Sequence, residues 1–376
     1  MVDHISFSKL ENWKKSITIG IDVSHLVHTN YIAGPQRITL SVFDALQKIS
    51  KEYPLSVHPV NLSGKNPTSA LKVISDHPGF GTVLESLEDI DVLLILDSNN
   101  SYAADFIFRH QFSGVVVSTL HDVLPLKYPQ WYVFNNRPNY IKEFTFYLMR
   151  LQRISSVIIS PSKQNVVDIF EIYGDKSWEK IEVIPYGTFK SNRIDRDRSF
   201  WESNRNLICV NTIEPKKGHN DLLDAFDILL RTDEEWRLTL VGKEGWNSKD
   251  IVNRITTHRQ FEKRLIWLEN LDDLETQKIS SASAIAISAS RAEGFGLTVE
   301  EALAHGLKFI CRDIPVFRER PNKNLYYFSG GGKELAEVIH RVSGEHSHPN
   351  ETVRTMQDFS IDLLKRLYSY QYEFRK

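Results

Sequence analysis

The chain has 376 residues, too many for one ordinary hydrophobic core and enough for two domains. Lys and Arg number 46 against 48 Asp and Glu, a net charge of −2 that excludes a global basic field recruiting nucleic acid. The two cysteines, Cys209 and Cys311, lie in separate apolar runs, which excludes zinc-type spacing and reads as buried free thiols in a reducing compartment.

Residues Met1 to Lys15 lack an apolar core of signal-peptide length, and no apolar run approaches the ~18 residues of a membrane span. A cytoplasmic protein is expected, with peripheral attachment to the cytoplasmic face of a membrane left open. The first strand reads Ser16 to Val23. After a loop through Gly34-Pro35-Gln36-Arg37, apolar residues from Ile38 to Ile49 recur at helical spacing. Leu55 to Val60, Val92 to Leu96 and Gly114 to Thr119 read as strands, with a helix over Ala103 to His110. A helix over Ile141 to Ile154, the strand Val157 to Ser160, a helix over Gln164 to Tyr173 and the strand Ile181 to Ile184 follow. Buried strands alternating with helices argue a parallel sheet covered on both faces.

The charged segment Lys190 to Arg205 has little apolar periodicity and reads as a solvated linker; Asp195-Arg196-Asp197 within it lacks the buried strand a metal site needs. A second alternation then begins, with strands at Asn206–Val210, Arg237–Val241, Leu265–Leu268, Ala284–Ser290, Lys308–Cys311 and Tyr326–Phe328. Helices are expected over Asp221–Leu230, Asp250–Gln260, from Asp273, and over Glu334–Val342. The expected organisation is a first domain over 1–189, a linker over 190–205, a second domain over 206–352 and a terminal amphipathic helix over 353–376. That helix must bury its apolar stripe, and the first domain offers a surface.

The most informative stretch follows the run 284–290. Ala292-Glu293-Gly294-Phe295-Gly296-Leu297-Thr298-Val299-Glu300-Glu301-Ala302 reads as a glycine turn leading into a helix that stops at Gly306. Strand, glycine turn and helix bring backbone N–H groups and a helix N-terminus to bear on an anion. Glu293 and Glu301, with seven residues between them, add two carboxylates that can face one crevice. This mixture suits a sugar nucleotide: dipoles for phosphate and carboxylates for hydroxyls.

This run resembles the glutamate-seven-glutamate motif of family 4 retaining glycosyltransferases. Thr212-Ile213-Glu214-Pro215-Lys216-Lys217-Gly218-His219, Val241-Gly242-Lys243-Glu244-Gly245-Trp246 and Arg312-Asp313-Ile314-Pro315-Val316-Phe317-Arg318-Glu319 resemble other segments of such enzymes. So do Gly34-Pro35-Gln36-Arg37, His121-Asp122-Val123-Leu124-Pro125 and Ser160-Pro161-Ser162, so the match runs over nearly the whole chain in order. The resemblance implies the α/β GT-B fold, two doubly wound Rossmann-like domains facing across a cleft, with the donor on the second and the acceptor on the first. It also implies transfer with retention, no cofactor and no essential metal.

By resemblance, Lys217 and Lys216 meet the donor diphosphate, Lys216 replacing what is often arginine. Gly294, Phe295, Gly296, Leu297 and Thr298 supply the phosphate-binding turn, Glu293 the sugar contacts and Glu301 the ribose contacts. Thr298-Val299-Glu300-Glu301 equally fits a capping box with Glu301 bonding back to a Thr298 cap. His121, after an apolar strand, is expected near the reacting sugar, although not as the general base. Gly34 and Arg37 belong to the acceptor or phosphate side, with capping or ion pairing an equal reading for Arg37. Asn211 stands where the family commonly has glycine and either crowds the donor or bonds to it; Lys308 replaces a frequent proline at a structural position.

The leading expectation is therefore a hexosyltransferase of surface polysaccharide or O-antigen synthesis. The donor is GDP-mannose ahead of UDP-sugars, and the acceptor a glycan or lipid-linked oligosaccharide. Peripheral contact with the inner membrane or with other assembly enzymes is the remaining partner expectation. The competing class is a non-catalytic homologue in an assembly or regulatory role, and a GT-B epimerase or phosphorylase fits the spacing less well.

Overall fold

The computed structural model describes residues 16–26, 34–63, 82–97, 101–134, 137–174, 178–189, 198–233, 235–348 and 352–373. The Asp195-Arg196-Asp197 segment lies outside them. The chain divides into two compact units, one of Met1–Val123, Lys142–Phe189 and Arg354–Lys376, the other of Leu124–Ile141 and Lys190–Val353.

The first unit holds strands β1 (Ile17–Asp22), β2 (Leu55–Val60), β3 (Val92–Ile95), β4 (Val115–Thr119), β5 (Val157–Ser160) and β6 (Ile181–Val183). They form one sheet in the order β2-β1-β3-β4-β5-β6, every pairing parallel. The apolar runs explain this, since a central parallel strand is covered on both faces and β3 and β5 are buried at every position. Helices Gly34–Ile49, Ser101–Arg109 and Lys163–Tyr173 provide cover; Ser162 caps the last, its hydroxyl accepting from the Asn165 N–H at 3.2 Å.

The terminal helix Met356–Glu373 also belongs to this unit and packs on Gly34–Ile49. Its stripe of Phe359, Leu363, Leu364 and Leu367 is buried. The return is fastened by two backbone bonds, Thr188 N–H to the Arg354 carbonyl at 2.8 Å and Met356 N–H to the Thr188 carbonyl at 3.1 Å. Gly187 permits the close approach, because a Cβ there would lie 2.2 Å from the Thr355 carbonyl carbon.

The second unit holds β7 (Asn206–Val210), β8 (Arg237–Val241), β9 (Leu265–Leu268), β10 (Ile285–Ser288), β11 (Lys308–Arg312) and β12 (Leu325–Phe328), also all parallel, in the order β12-β11-β10-β7-β8-β9. Alternate residues enter cores on opposite faces. Leu207 and Cys209 join one cluster, while Ile208 and Cys311 join the other. The two free thiols are thus buried on different faces of the sheet, as a pair of unlinked core residues.

Two segments depart from the expected boundaries. Residues 198–203 of the expected linker form a helix, and Trp201 is 3% exposed inside the second unit's core. A buried indole contributes a large apolar area, which holds this helix to the unit despite its charged sequence. Residues 124–141, expected in a continuous first domain, group with the second unit. Leu124, Tyr132 and Ala292 form one apolar cluster there, and the Trp246 Nε1–H donates to the Trp131 carbonyl at 2.7 Å.

Lys308, fully buried, caps a helix from outside. Its Nζ donates to the carbonyls of Val342 at 2.7 Å and Glu345 at 2.6 Å, closing the end of helix Gly332–Ser343. Among the described residues no helix is long and apolar enough to cross a membrane.

Candidate active site

In the second sheet, β7 is the first strand in sequence and has β8 on one side and β10 on the other. The chain reverses its direction of winding between β7 and β10, and the carboxyl ends flanking such a switch point splay apart into a crevice. Two turns leave from these two ends. The one after β7 carries a short 3-10 turn, Pro215–Lys217, closed by Gly218 at φ 68°. The one after β10 runs to Gly296.

The turns are knitted together. The Arg291 N–H donates to the Lys216 carbonyl at 2.8 Å, and a Cβ on Gly218 would lie 2.2 Å from the Ala289 oxygen. Lys217 and Glu293, 76 residues apart, consequently meet with Nζ to Oε1 at 2.5 Å; their side chains are 14% and 11% exposed. Burial pushes the Glu293 carboxyl upward. Lys217, Lys216 and hydrogen bonds from Lys217 and Ser290 outweigh it, so the group sits below the ordinary carboxylate range. An ionised carboxylate and an ammonium at one strand-end crevice can exchange their mutual contact for a ligand's hydroxyl and phosphate.

The glycine turn is built for close approach. Gly296 has φ 88°, and a Cβ there would lie 2.6 Å from the Phe317 ring. The helix Leu297–Ala304 starts directly after it, with Gly296 as N-cap and no side-chain cap bond. The anticipated capping box is therefore absent. Thr298 lies inside the first turn rather than at the cap, because the left-handed Gly296 has already started the helix. Glu301 stands two positions beyond N3 and is not the reciprocal partner of a Thr298 cap.

Three neighbours carried no assignment from the sequence. Arg320 fixes the turn: its Nη1 donates to Glu300 Oε1 at 2.8 Å, its Nη2 donates to the Phe295 carbonyl, and its guanidinium lies 3.9 Å from the Phe295 ring centroid. Glu214 is 2% exposed, and burial pushes its carboxyl up against the opposing pull of Lys216 and Lys217. His219 is 1% exposed, and burial pushes its pKa down to about 4. Glu214 and His219 stand in the motif 212–219, so the sequence singled out their segment without giving either a role; Arg320 sits in an ordinary-looking charged run with no local signal.

Lys216 and Asn211 are each held by contacts within the unit. Lys216 Nζ donates to the Tyr132 hydroxyl at 3.2 Å, lies 5.6 Å from the Trp246 ring centroid and pairs with Glu214 at 3.6 Å. Asn211 is 8% exposed and its amide contacts Cys209 Sγ at 3.6 Å, so its side chain turns back along its own strand. Its backbone does the positioning, because a Cβ on Gly242 would lie 2.2 Å from the Asn211 oxygen.

The first unit places its expected residues at the carboxyl end of its own sheet. His121 Nε2 lies 2.9 Å from the Leu96 carbonyl, and a carbonyl can only accept, so Nε2 carries the proton. Nδ1, 2.8 Å from the Tyr186 hydroxyl, then accepts from it. The His121 backbone carbonyl accepts from Asn165 Nδ2 at 2.6 Å. Burial holds the imidazole pKa below its ordinary value despite Asp97 and Asp122. His121 is thus a neutral side chain bonded within its own unit. Gly34 opens the helix Gly34–Ile49, and the Arg37 guanidinium lies over the Phe189 ring, 4.2 Å from its centroid.

Known proteins bear on this arrangement. Residues 191–348 match the family described as Glycosyl transferases group 1. The chain is 30% identical over 361 residues to the serotype-specific mannosyltransferase WbdA of Escherichia coli, covering 88% of this chain and 43% of that protein. It therefore spans less than half the length of that relative. Its structure resembles Anabaena Alr3699/HepE in complex with UDP-glucose, with a TM-score of 0.62 at 15% identity over 93% of this chain and 95% of that one. The sucrose-phosphate synthase of Thermosynechococcus elongatus gives a TM-score of 0.60 at 16% identity over 94% and 95%. The fold is GT-B, a pair of Rossmann-like units. Residues 191–348, within the unit that carries the Lys217–Glu293 pair, are thus a glycosyl transferases group 1 domain.

Proposed function

We propose that the chain is a retaining hexosyltransferase that takes its sugar from a nucleotide-sugar donor held at the Lys217–Glu293 crevice. The observation that carries this reading is the buried ion pair itself, set at the switch point of the family-matched unit. Transfer from a nucleotide sugar develops negative charge on the departing diphosphate, and fixed cations and dipoles must receive it. Lys217 supplies the cation. The N–H groups of the Gly294–Thr298 turn and the start of helix Leu297–Ala304, which has no side-chain cap, supply the dipoles.

Released from Lys217 by the arriving phosphate, Glu293 accepts from the hydroxyls of the transferred sugar. Glu301, which has no capping-box role, takes the ribose hydroxyls. The residues at the crevice perform this chemistry without a divalent cation. His121 holds both ring nitrogens in bonds inside its own unit, so the acceptor's proton passes to the leaving phosphate, and His121 acts by positioning the strand ends around it. Mannose is favoured as the sugar because WbdA is a mannosyltransferase by name, and an O-antigen or related surface glycan is favoured as the acceptor. The accepting sugar of the acceptor is assigned to the first unit, and the protein works in the cytoplasm with peripheral contact to the membrane that carries that acceptor.

A thermal-shift panel of GDP-, UDP- and ADP-sugars tests this reading. One nucleotide class is expected to stabilise the protein by about 2.7 kcal/mol at a hundredfold excess over its Kd. Transfer to a glycan acceptor is expected to survive chelator. Absence of any stabilisation would favour a non-catalytic homologue, and activity lost to chelator would remove the metal-free mechanism.

A further inference from the structure

A second concavity of the same unit has no part in the chemistry above. It encloses about 250 Å³ and is lined by Pro215 and Gly218 of the 3-10 turn, but by neither Lys217 nor Glu293. His219, Trp131, Asn220, Asn247, Asp250 and Arg291 supply its polar and aromatic lining. We propose that this pocket is a carbohydrate subsite of the second unit, taking a hexose of the acceptor glycan apart from the hexose carried by the donor. The naming of the ligand as a glycan rests on the sugar-transfer reading; the pocket's preference for a neutral polyol rests on its own residues.

The first observation is His219. It is 1% exposed, lines the pocket, and neither ring nitrogen completes a well-formed hydrogen bond among the described residues. The Glu214 backbone lies close enough only to exert a minor upward pull on its pKa. A buried polar group left so costs about 1–3 kcal/mol, a cost a ligand hydroxyl relieves. The imidazole is neutral at ordinary pH, because burial pushes its pKa to about 4. One donor and one acceptor on a neutral ring match a hydroxyl, which is itself both, better than a phosphate, which needs donors only.

The charge around it points the same way. His219 opens the helix His219–Thr232, whose N-terminus would by itself attract an anion. Asp221 in that first turn offsets the attraction. It accepts from Arg291 at 3.2 Å and from Arg312 at 2.5 Å, so the arginine beside the pocket is already paired. The Asp250 carboxylate in the lining opposes an anion further.

The remaining lining is held in place, as recognition of a small polyol requires. Asn247 Nδ2 donates to the Val133 carbonyl at 2.9 Å, and Asn220 Oδ1 accepts from Arg254 at 3.3 Å, so both amides have fixed orientations. Trp131 stacks on Tyr128 with ring centroids 4.5 Å apart, and its carbonyl is tied to Trp246. A buttressed indole beside fixed amides and a carboxylate is the composition that binds a pyranose: an aromatic face for its C–H groups and polar atoms for its hydroxyls.

Saturation-transfer NMR of the full chain with mannotriose, and separately with inorganic phosphate, tests the subsite. Transfer kinetics with mannose and mannotriose as acceptors accompany it for wild type, Trp131→Ala and the exposed-site variant Asp250→Ala, which does not threaten folding. The expected result is mannotriose binding in wild type that weakens roughly tenfold in both variants. The mannotriose KM should rise by a similar factor while kcat and the donor KM stay unchanged. Mannotriose binding and KM that are unchanged in both variants would overturn the subsite, as would binding of phosphate in place of the trisaccharide. Should wild type transfer nothing, the sugar-transfer reading falls, and mannotriose binding that disappears in Asp250→Ala would still uphold the polyol pocket.

Discussion

The two sheets end in opposite kinds of chemistry. At the carboxyl end of the second, Lys217 and Glu293 are charged, close and paired with each other, an arrangement that a ligand of mixed charge can open. At the end of the first, His121, Tyr186 and the Leu96 carbonyl form a neutral chain in which each ring nitrogen already has its partner. Opening that chain would leave the buried His121 ring nitrogens unpaired, at about 1–3 kcal/mol each. The same parallel architecture thus carries a charged pair at one carboxyl end and, at the other, a neutral wall of hydrogen-bonded groups.

Removing the exchangeable cation should erase this contrast most completely. Lys217→Met is expected to lower kcat by about 10²–10³-fold, the cost of removing one group that stabilises developing charge, as steady-state kinetics would show. It also leaves Glu293 buried without its cation, so a Lys217→Met/Glu293→Gln double variant should recover part of the lost stability but none of the activity.

Next in size is Arg320→Ala. It removes the guanidinium paired with Glu300, which is 6% exposed, and releases the Phe295 carbonyl, so a loss of about 3–5 kcal/mol is expected in chemical denaturation. Smaller but similar in kind is the effect of pH on His219. Its folded pKa of about 4 lies below the ordinary value, so the unfolded chain binds the proton more readily as pH falls below about 6.5. Stability should be level above that pH and decline by about 3 kcal/mol as pH drops to 4; His219→Gln should flatten that stretch of the curve. Smallest, and confined to the wall, is Tyr186→Phe, which should cost about 1–3 kcal/mol of stability with donor affinity unchanged, as calorimetry would report.

Much of the fold was legible because parallel strands announce themselves. Val92–Ile95 and Ile285–Ser288 are apolar at nearly every position, so their runs mark strands without any pairing partner in view. The Glu293 turn and Lys217 were recognisable from their motifs. Their meeting was not, since it depends on β10 lying beside β7, a matter of strand order across 76 residues. Helix termini were similarly opaque. Thr298 and Glu301 satisfied the capping pattern, yet the left-handed Gly296 began the helix one position before Thr298. Trp201 was hidden by its charged neighbours, and the Tyr186–His121 bond joins residues 65 apart that meet only once the first sheet has formed.

Whether the Lys217–Glu293 pair opens to hold a nucleotide sugar can be read from thermal unfolding of three proteins with a nucleoside diphosphate and with its sugar conjugate. Wild type should be stabilised by both, and more by the conjugate. Glu293→Gln should keep the shift from the diphosphate and lose the increment from the sugar, while Lys217→Met should lose both. Equal shifts in all three proteins would contradict an opening pair.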